Sequence, residues 1–368
     1  MGSNPTPSAF DETKKWLESN HFFVTSRPFV SVGATCLPLP RVAALHDPAL
    51  HDPPQPDMIW VPGGEFLMGS DHHYPEEAPA HRVSVDGFWI DRAPVTNARW
   101  SEFVDATGHV TFAERVPDAS SYPGAKPELL VAASMVFVKP ARRVDLRDHY
   151  NWWTYVPGAD WRHPQGPGSA IDGLDDHPVV HVSWEDVEVF AAWSGTDLPT
   201  EAEWERAAWG TVEGTEYAWG DRLYPDGRMM ANIWQGDFPA ENLKLDGYEG
   251  TSPVGAFPPN SVGLVDMIGN VWEWTQDWYE PHGDVHHACC TVDNPLGGER
   301  ERSYDPAFPD TPLPRKVSKG GSHLCAKNYC RRYRPAARMP QAIDTSTSHL
   351  GFRCVVRDQE AARPRSMR

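Results

Sequence analysis

The chain lacks any long apolar stretch. No uninterrupted apolar run approaches the roughly 18 residues that a membrane span needs. The first residues, Met1 to Pro5, do not start a basic segment followed by an apolar one, so no secretory signal is predicted. We therefore expect a protein that has no membrane partner.

Positive charge is also scarce. The 33 Lys and Arg residues are outnumbered by 51 Asp and Glu residues, which gives a formal net charge of −18. This balance argues against nucleic acid and anionic membrane surfaces as partners. A solvated acidic surface is the simplest explanation, and a mild attraction for a basic peptide is the alternative.

Cysteine is too rare for a disulfide scaffold in a chain of 368 residues. The six cysteines stand at positions 36, 289, 290, 325, 330 and 354. A reducing compartment is the expectation for such a chain, so a cytoplasmic location is predicted.

Proline, glycine and tryptophan are abundant, with 36, 29 and 16 residues. Because Pro and Gly interrupt regular elements, we predict an α+β fold that is rich in loops and low in regular secondary structure. We predict a catalytic domain over residues 56–358, preceded by an extension or linker over 1–55 and followed by a tail over 359–368. No pattern demands a second chain, so a monomer is expected.

The sequence predicts two strands near the start of the domain, one over residues 59–64 that runs into a turn and one over 82–89. Residues 115–175 show no regular period and are predicted to be irregular. Trp152 and Trp153 in that region either line a groove or are simply buried, and burial is the commoner case for aromatic residues.

Helices are predicted from their N-terminal residues. Asp11 to Asn20 is a candidate short helix, and Thr96 is the candidate N-cap of a second one. Ser183 begins a segment that resembles a capping box, with a helix expected to end at Gly195. Thr200 and the glutamate three residues later fit the capping box of a further helix, which is expected to end near the next glycine, at position 210.

Cys325 and Cys330 form the sharpest chemical feature. From the spacing alone, a disulfide or redox pair ranks first, an inert pair of core cysteines second and a copper site third. Zinc normally takes four protein ligands, whereas two thiolates suit a low-coordinate soft ion such as copper(I). The basic cluster from Arg331 to Arg334, with Arg338, favours thiolate, although salt bridges to acidic groups would also explain that cluster.

Over nearly all of residues 58–357 the chain resembles the formylglycine-generating enzymes, also called sulfatase-modifying factors. The segment 320–330, with the pattern Gly-Gly-Ser-x-x-Cys-x-x-x-x-Cys, resembles the generating enzymes themselves. The other motifs occur in a wider superfamily that includes iron-dependent sulfoxide synthases and inactive proteins. They are WVPGGEFLMG at 60–69, WRHPQGP at 161–167, HVSW at 181–184, LPTEAEWE at 198–205, ANIWQG at 231–236, GNVWEW at 269–274 and GFRC at 351–354.

The resemblance implies a fold and a catalytic site. The fold is the one that formylglycine-generating enzymes share with C-type-lectin-like proteins. Cys325 and Cys330 are implied to bind copper(I) and to carry out catalysis, with Ser322 as an active-site serine beside them. Trp272 and Arg338 are implied to contact the substrate.

The resemblance also implies two structural calcium (Ca²⁺) sites, built from the mixed oxygen ligands that calcium takes. The first comprises the side chains of Asn232 and Asp246 and the carbonyls of Ile233 and Tyr248. The second comprises the side chains of Asp266 and Glu273 and the carbonyls of Gly269 and Val271. Without the resemblance, Asp246 and Asp266 would more often be turn or capping residues.

The implied activity is a copper-dependent oxidation that uses dioxygen (O2). The implied substrate is a sulfatase polypeptide whose Cys-x-Pro-x-Arg motif supplies a cysteine, which becomes Cα-formylglycine through a thioaldehyde that hydrolyses with loss of sulfide. An inactive member of the superfamily and an iron-dependent oxidase are the alternatives. The iron enzymes carry an additional helical domain, for which residues 1–55 are too short.

One departure from the family pattern concerns disulfides. Relatives of the secretory pathway carry structural disulfides at positions that Ala191, Ala208 and Pro335 occupy here, so Cys354 lacks the family partner. The resemblance is therefore to the prokaryote-like form.

Overall fold

A computed structural model describes residues 52–283, 291–307 and 313–357, and the following statements concern these residues. The predicted helix from Asp11 to Asn20 and the predicted tail over 359–368 lie outside the described residues. So do the cysteines at 36, 289 and 290.

Short strands in this part of the chain form four small sheets. Their orders are β1-β4-β12, β10-β9-β7-β11, β2-β3-β8 and β5-β6. The strands are β1 Met58–Val61, β2 Gly64–Met68, β3 His81–Val85, β4 Phe88–Asp91, β5 Ala133–Phe137, β6 Trp153–Pro157, β7 Trp272–Trp278, β8 Val292–Asp293, β9 Arg315–Lys319, β10 Arg338–Ala342, β11 Leu350–Gly351 and β12 Val355–Arg357.

Three α-helices are present in the same residues, and they confirm the capping predictions. They are α1 Asn97–Thr107, α2 Trp184–Ser194 and α3 Glu201–Trp209. The Thr96 side chain accepts from the Arg99 amide, and the capping boxes of Ser183 and Thr200 are both complete. The α2 helix ends at Gly195 in the left-handed conformation, and α3 ends at Gly210. The loop-rich α+β fold class is likewise confirmed.

One strand prediction was wrong, and one region predicted to be irregular contains two strands. The single strand predicted over residues 82–89 is two strands, β3 and β4, separated at Asp86 and Gly87. A Cβ on Gly87 would lie 2.3 Å from the Trp60 ring, so only glycine lets that ring approach at the break between the strands. The region 115–175 is mostly irregular as predicted, but it also contains the antiparallel pair β5 and β6.

The four-stranded sheet positions the candidate site. Arg338 at the start of β10 pairs with Lys319 at the end of β9, and Glu273 of β7 pairs with the same lysine. Trp272 and the segment that follows β9 therefore lie at the same end of this sheet. Helix α3 packs against β7 and β9 and supplies buried residues to the main core.

A membrane-spanning helix is not found among residues 52–283, 291–307 and 313–357, since no helix there is both long and apolar enough.

Candidate active site

The two cysteines are brought together by a turn directly after β9. Gly320 and Gly321 have positive φ angles of 92° and 73°. A Cβ on Gly321 would lie 2.9 Å from the Arg332 carbonyl oxygen, so glycine is required for this close approach. Between the cysteines, the Cys330 amide donates to the Ala326 carbonyl at 2.9 Å and closes the turn.

The Sγ atoms of Cys325 and Cys330 lie 3.3 Å apart, and both residues are buried. A disulfide has sulfur atoms about 2.05 Å apart, and both cysteines are free in this structure. Ser322 lies beside them, because its amide donates to the Cys325 sulfur at 3.4 Å. These three residues therefore lie together, and their roles in copper binding and catalysis stay predictions.

Arg332 places a positive charge next to this pair. Its Nη1 lies 3.8 Å from the Cys330 sulfur, and its guanidinium stacks 3.9 Å from the Tyr74 ring centre and pairs with Glu76. The hydrogen bond from Cys325 and the charge of Arg332 lower the pKa of the Cys330 thiol. Burial raises the pKa of Cys325, so negative charge in the metal-free pair is favoured on Cys330.

Both cysteines line a cavity of about 390 Å³. Ser322, Trp272 and Arg332 line the same cavity. Aromatic and apolar side chains form much of the remaining surface, namely Trp152, Trp153, Phe238, Tyr329, Tyr122, Leu129 and Leu130. A cavity of this size and lining is typical of sites that take up an apolar or peptide ligand.

The two predicted substrate contacts, Trp272 and Arg338, lie in different surroundings. Trp272 lines the cavity, and its contact with substrate stays a prediction. Arg338 is not among the cavity-lining residues in the described part of the chain. Its guanidinium donates to both carboxylate oxygens of Glu201, at 2.7 and 2.8 Å, and to the Glu280 carbonyl at 2.9 Å. Its contact with substrate stays a prediction that this buried position does not support.

Trp152 satisfies both of the alternatives weighed for these two residues, whereas Trp153 lines the cavity and is half-buried. Trp152 is 1% exposed and packs in a small hydrophobic cluster, yet it also lines the cavity. Its ring contacts Tyr329 at 5.3 Å, and Tyr329 in turn stacks on Phe238 at 4.5 Å. The aromatic surface beside the cysteines is therefore a packed part of the core.

The donor set of the cysteine pair fits a low-coordinate soft metal ion. Among the described residues, no group of three or more His, Cys, Asp and Glu side chains is placed to hold a metal. A closed zinc site with four such ligands is therefore not formed in residues 52–283, 291–307 and 313–357. Two converging thiols without a third protein ligand are compatible with copper(I).

The first predicted calcium set has two oxygens that converge. The Ile233 carbonyl and the Asp246 carboxylate both accept from the Gln235 side-chain amide, the latter at 2.6 Å. The Tyr248 amide donates to the other Asp246 oxygen at 3.0 Å. Asn232 is buried and uses its amide nitrogen on the Gly250 carbonyl. Two of the four predicted oxygens therefore meet, at the Gln235 amide nitrogen, and carbonyl and carboxylate oxygens are kinds of ligand that calcium takes.

In the second predicted calcium set, one carboxylate suits a cation and the other is already paired. Burial raises the pKa of Asp266 to about 6, because the charged carboxylate is poorly solvated there. A cation bound nearby would stabilise the carboxylate and lower this pKa. Glu273, however, already accepts from Arg353 at both oxygens and from the Trp204 ring nitrogen, each at 2.7 Å. The Gly269 amide donates to the Gly320 carbonyl, so the loop that includes the Gly269 and Val271 carbonyls is tied to the cysteine segment.

Sequence reasoning gave no individual role to several residues that line the cavity. Arg332 was named only as part of a basic cluster, and His349 was not named at all. His349 stands two residues before the GFRC motif, and it reaches the site because β11 pairs in parallel with β7, with Leu350 opposite Trp272. No local pattern in the sequence signals that pairing.

Comparisons with known proteins place the chain in a family. The model of the sulfatase-modifying factor enzyme 1-like domain matches residues 44–358. A formylglycine-generating enzyme of Mycobacterium tuberculosis is 52% identical, with 81% of this chain and 97% of the relative covered. The mouse protein named inactive C-alpha-formylglycine-generating enzyme 2 is 36% identical, with 92% of this chain and 97% of the relative covered.

A solved structure with a similar fold is PvdO from Pseudomonas aeruginosa. It is 24% identical and superimposes with a TM-score of 0.53, covering 81% of this chain and 93% of PvdO. At this identity the likeness concerns the fold alone. Together with the family match over residues 44–358, these findings show that the chain belongs to the sulfatase-modifying factor family.

Proposed function

We propose that this chain is a copper-dependent oxidase that converts the cysteine of a Cys-x-Pro-x-Arg motif in sulfatases to Cα-formylglycine with dioxygen. The observation that carries the proposal is the pair of free thiols, Cys325 and Cys330, that lines a cavity in a chain of this family. The mycobacterial relative named formylglycine-generating enzyme supports the same reaction.

The side chains around the cavity have separable tasks in this reaction. Cys325 and Cys330 would hold the metal ion, and the Ser322 amide fixes the Cys325 sulfur. Arg332 stabilises negative charge on Cys330, since a nearby cation favours thiolate. Trp152, Tyr329 and their neighbours exclude water from the space where a peptide cysteine would enter, which strengthens electrostatic interactions there.

Bound copper(I) would supply the redox chemistry with dioxygen and a coordination position for the substrate thiolate. Calcium, in this proposal, is structural. The first set of oxygens, around Asp246, supports it better than the second, because Arg353 already neutralises Glu273. The expectations of a monomer and of a cytoplasmic location stay predictions.

The test is mass spectrometry of a Cys-x-Pro-x-Arg peptide after incubation with copper-loaded protein and oxygen. The expected product has lost mass at the cysteine and reacts with an aldehyde probe. Cys325→Ser and Cys330→Ser are expected to lower turnover by at least about a hundredfold, because each removes one of two metal ligands. Cys354→Ser, which alters a free buried cysteine outside the cavity, is the matched control.

Full turnover by Cys325→Ser, or by protein stripped of copper, would contradict the proposal. The alternatives are an inactive member of the family and an iron-dependent oxidase. An inactive protein would leave the peptide unchanged even with copper bound. An iron-dependent enzyme would be restored by iron and not by copper, although the described residues present no group of three or more metal-binding side chains.

A further inference from the structure

His349 occupies a cavity position that the proposed chemistry has not used. It lines the same cavity as Trp272 and the two cysteines, and it is partly exposed there. Its backbone carbonyl accepts from the Trp272 amide at 2.8 Å. His349 therefore lies next to Trp272, which is a predicted substrate contact.

The backbone on both sides of His349 is held by neighbouring strands. Before it, the Ser348 amide donates to the Met135 carbonyl of β5 at 3.0 Å, and Thr347 forms a bridge with Met135. After it, Leu350 begins β11 and pairs with Trp272 of β7. A residue fixed from two directions can hold a ligand in one orientation at little entropic cost.

The side chain is also oriented. Its ring packs against the Trp153 ring, with centres 4.8 Å apart. Its Nδ1 lies 2.6 Å from the Thr347 hydroxyl oxygen. Thr347 is 7% exposed, and its hydroxyl has no other hydrogen-bond partner among the described residues. The hydroxyl is therefore best satisfied by donating its proton to Nδ1, which leaves the imidazole proton on Nε2.

The ring stays neutral, because burial lowers the pKa of His349 to about 3, with His323 and His181 adding to the effect. In this tautomer Nε2 carries a proton and has no partner among residues 52–283, 291–307 and 313–357. The partly exposed ring lines the cavity, so Nε2–H is available to a ligand there. A peptide that enters this largely aromatic space must find donors for its own carbonyl groups, since a buried carbonyl without a donor is costly.

We propose that His349 is a substrate-positioning residue that donates Nε2–H to a backbone carbonyl of the bound peptide, in the tautomer set by Thr347. This inference rests on the proposed function, since it takes the ligand to be the peptide that carries the cysteine. It assigns His349 to peptide binding and leaves metal binding to Cys325 and Cys330.

Binding is measured first, on the full-length, metal-free protein. The probe is a fluorescent peptide with serine in place of the motif cysteine, and the readout is fluorescence anisotropy. His349→Phe keeps a ring against Trp153 and removes the donor, and His349→Asn mimics only the Nδ1 side. Both are expected to bind roughly tenfold more weakly, the range for a buried carbonyl that loses its partner. His349→Gln, which mimics the Nε2 side, is expected to bind within about twofold of wild type.

Kinetics with copper-loaded protein and the cysteine peptide supply a second readout. The same variants are expected to raise KM while kcat changes little, because the hydrogen bond serves binding in both the ground state and the transition state. Their copper content is expected to match wild type. His163→Phe is the matched control, since His163 is 44% exposed, pairs with Asp160 and does not line the cavity.

The outcomes separate the two proposals. Wild-type protein that neither binds nor converts the motif peptide would overturn the proposed function and this inference together. Wild-type activity with unchanged peptide binding in His349→Phe would overturn the inference alone. Equal weakening in His349→Gln and His349→Asn would also overturn it, because the Nε2 donor would then be irrelevant. If His349→Phe does not fold, the Gln and Asn variants carry the test.

Discussion

Two different surfaces flank the cysteine pair. One is an ionic wall, formed by Glu76, Glu77, Arg332 and Arg334 and held by ion pairs. The other is an aromatic wall, formed by Trp152, Trp234, Phe238 and Tyr329 and held by ring contacts. Both walls are largely removed from solvent, yet their stability rests on different physics.

The ionic wall belongs to a larger buried network. Arg338 donates to the Glu76 carbonyl at 3.3 Å and also pairs with Glu201. Glu201 in turn contacts Lys319, whose ammonium lies 2.8 Å from Glu205. Buried pairs of this kind contribute little net stability, but removing one partner leaves a buried charge that nothing compensates.

The two walls contribute to the site in different ways. The aromatic wall is non-directional and stabilises the fold in proportion to the apolar area that it buries. The ionic wall is directional, and it fixes one guanidinium, that of Arg332, 3.8 Å from the Cys330 sulfur. Removing one partner of the ionic wall should therefore cause a large loss of folding free energy. Trimming the aromatic wall should cause a loss that grows with the apolar area removed.

The largest effect is expected from Arg334→Met. This change leaves Glu77 buried without its partner, and Glu77 is 0% exposed. The free energy of unfolding should fall by about 3–5 kcal/mol, as measured by urea denaturation. The double variant Arg334→Met with Glu77→Leu should recover most of that loss.

A matched control is Arg222→Met, which breaks a pair with Asp226 in which the two side chains are 69% and 88% exposed. That change should leave the denaturation midpoint where it is in the wild type, because exposed pairs contribute little. A double variant as unstable as the Arg334 single variant would show that charge pairing does not hold the ionic wall.

An intermediate effect is expected from Phe238→Leu in the aromatic wall. The ring of Phe238 contacts Trp152 at 5.4 Å and Trp234 at 5.2 Å, in addition to its stack on Tyr329. Loss of these ring contacts and of part of the side-chain volume should lower the free energy of unfolding by about 1–3 kcal/mol. Thermal and urea unfolding both report it.

Phe257→Leu is the control for this change, since within the described part of the chain the Phe257 ring contacts only that of Tyr248, at 6.0 Å. It should lose less stability than Phe238→Leu. Equal losses at the two positions would mean that the cluster beside the cysteines behaves as ordinary core.

The smallest expected effect is on the pKa of a thiol and not on the free energy of unfolding. Arg332→Gln removes the cation that lowers the pKa of Cys330, so that pKa should rise and less thiolate should exist at pH 7. Alkylation of the metal-free, reduced protein by iodoacetamide at pH 7 should slow by roughly tenfold, the effect of about one pKa unit. At a pH well above the raised pKa, the two rates should converge.

Arg331→Gln provides the comparison, because Arg331 pairs with Glu216 and is not among the residues that line the cavity. Its alkylation rate should equal that of the wild type. An Arg332 variant that reacts as fast as wild type at pH 7 would show that the ionic wall does not tune the thiols.

Several features could be predicted because their causes are local. The capping boxes of Ser183 and Thr200 satisfy backbone donors within a few residues, so the sequence alone locates both helix starts. The convergence of Cys325 and Cys330 depends on one short turn that begins at two glycines. Such short segments adopt the same local structure whatever the rest of the chain packs against them.

Other features could not be predicted because their causes are distant in the chain. The break between β3 and β4 depends on the Trp60 ring, which packs against Gly87. The position of Arg338 depends on Glu201, 137 residues away, which draws the guanidinium into the core and away from the cavity. The place of His349 depends on a parallel pairing of only two residues.

The sequence by itself determined the family, the helix starts, the loop-rich fold class and the identity of the paired cysteines, because each is encoded in contiguous residues. Only the tertiary structure decided what surrounds that pair. It placed Arg332 at the Cys330 sulfur, packed the aromatic wall near the cysteine pair and brought His349 beside Trp272. The physical reason is that the surroundings of a buried side chain are formed by segments that are distant in sequence and meet only in the folded chain. The sequence of one segment does not indicate which other segments will pack against it.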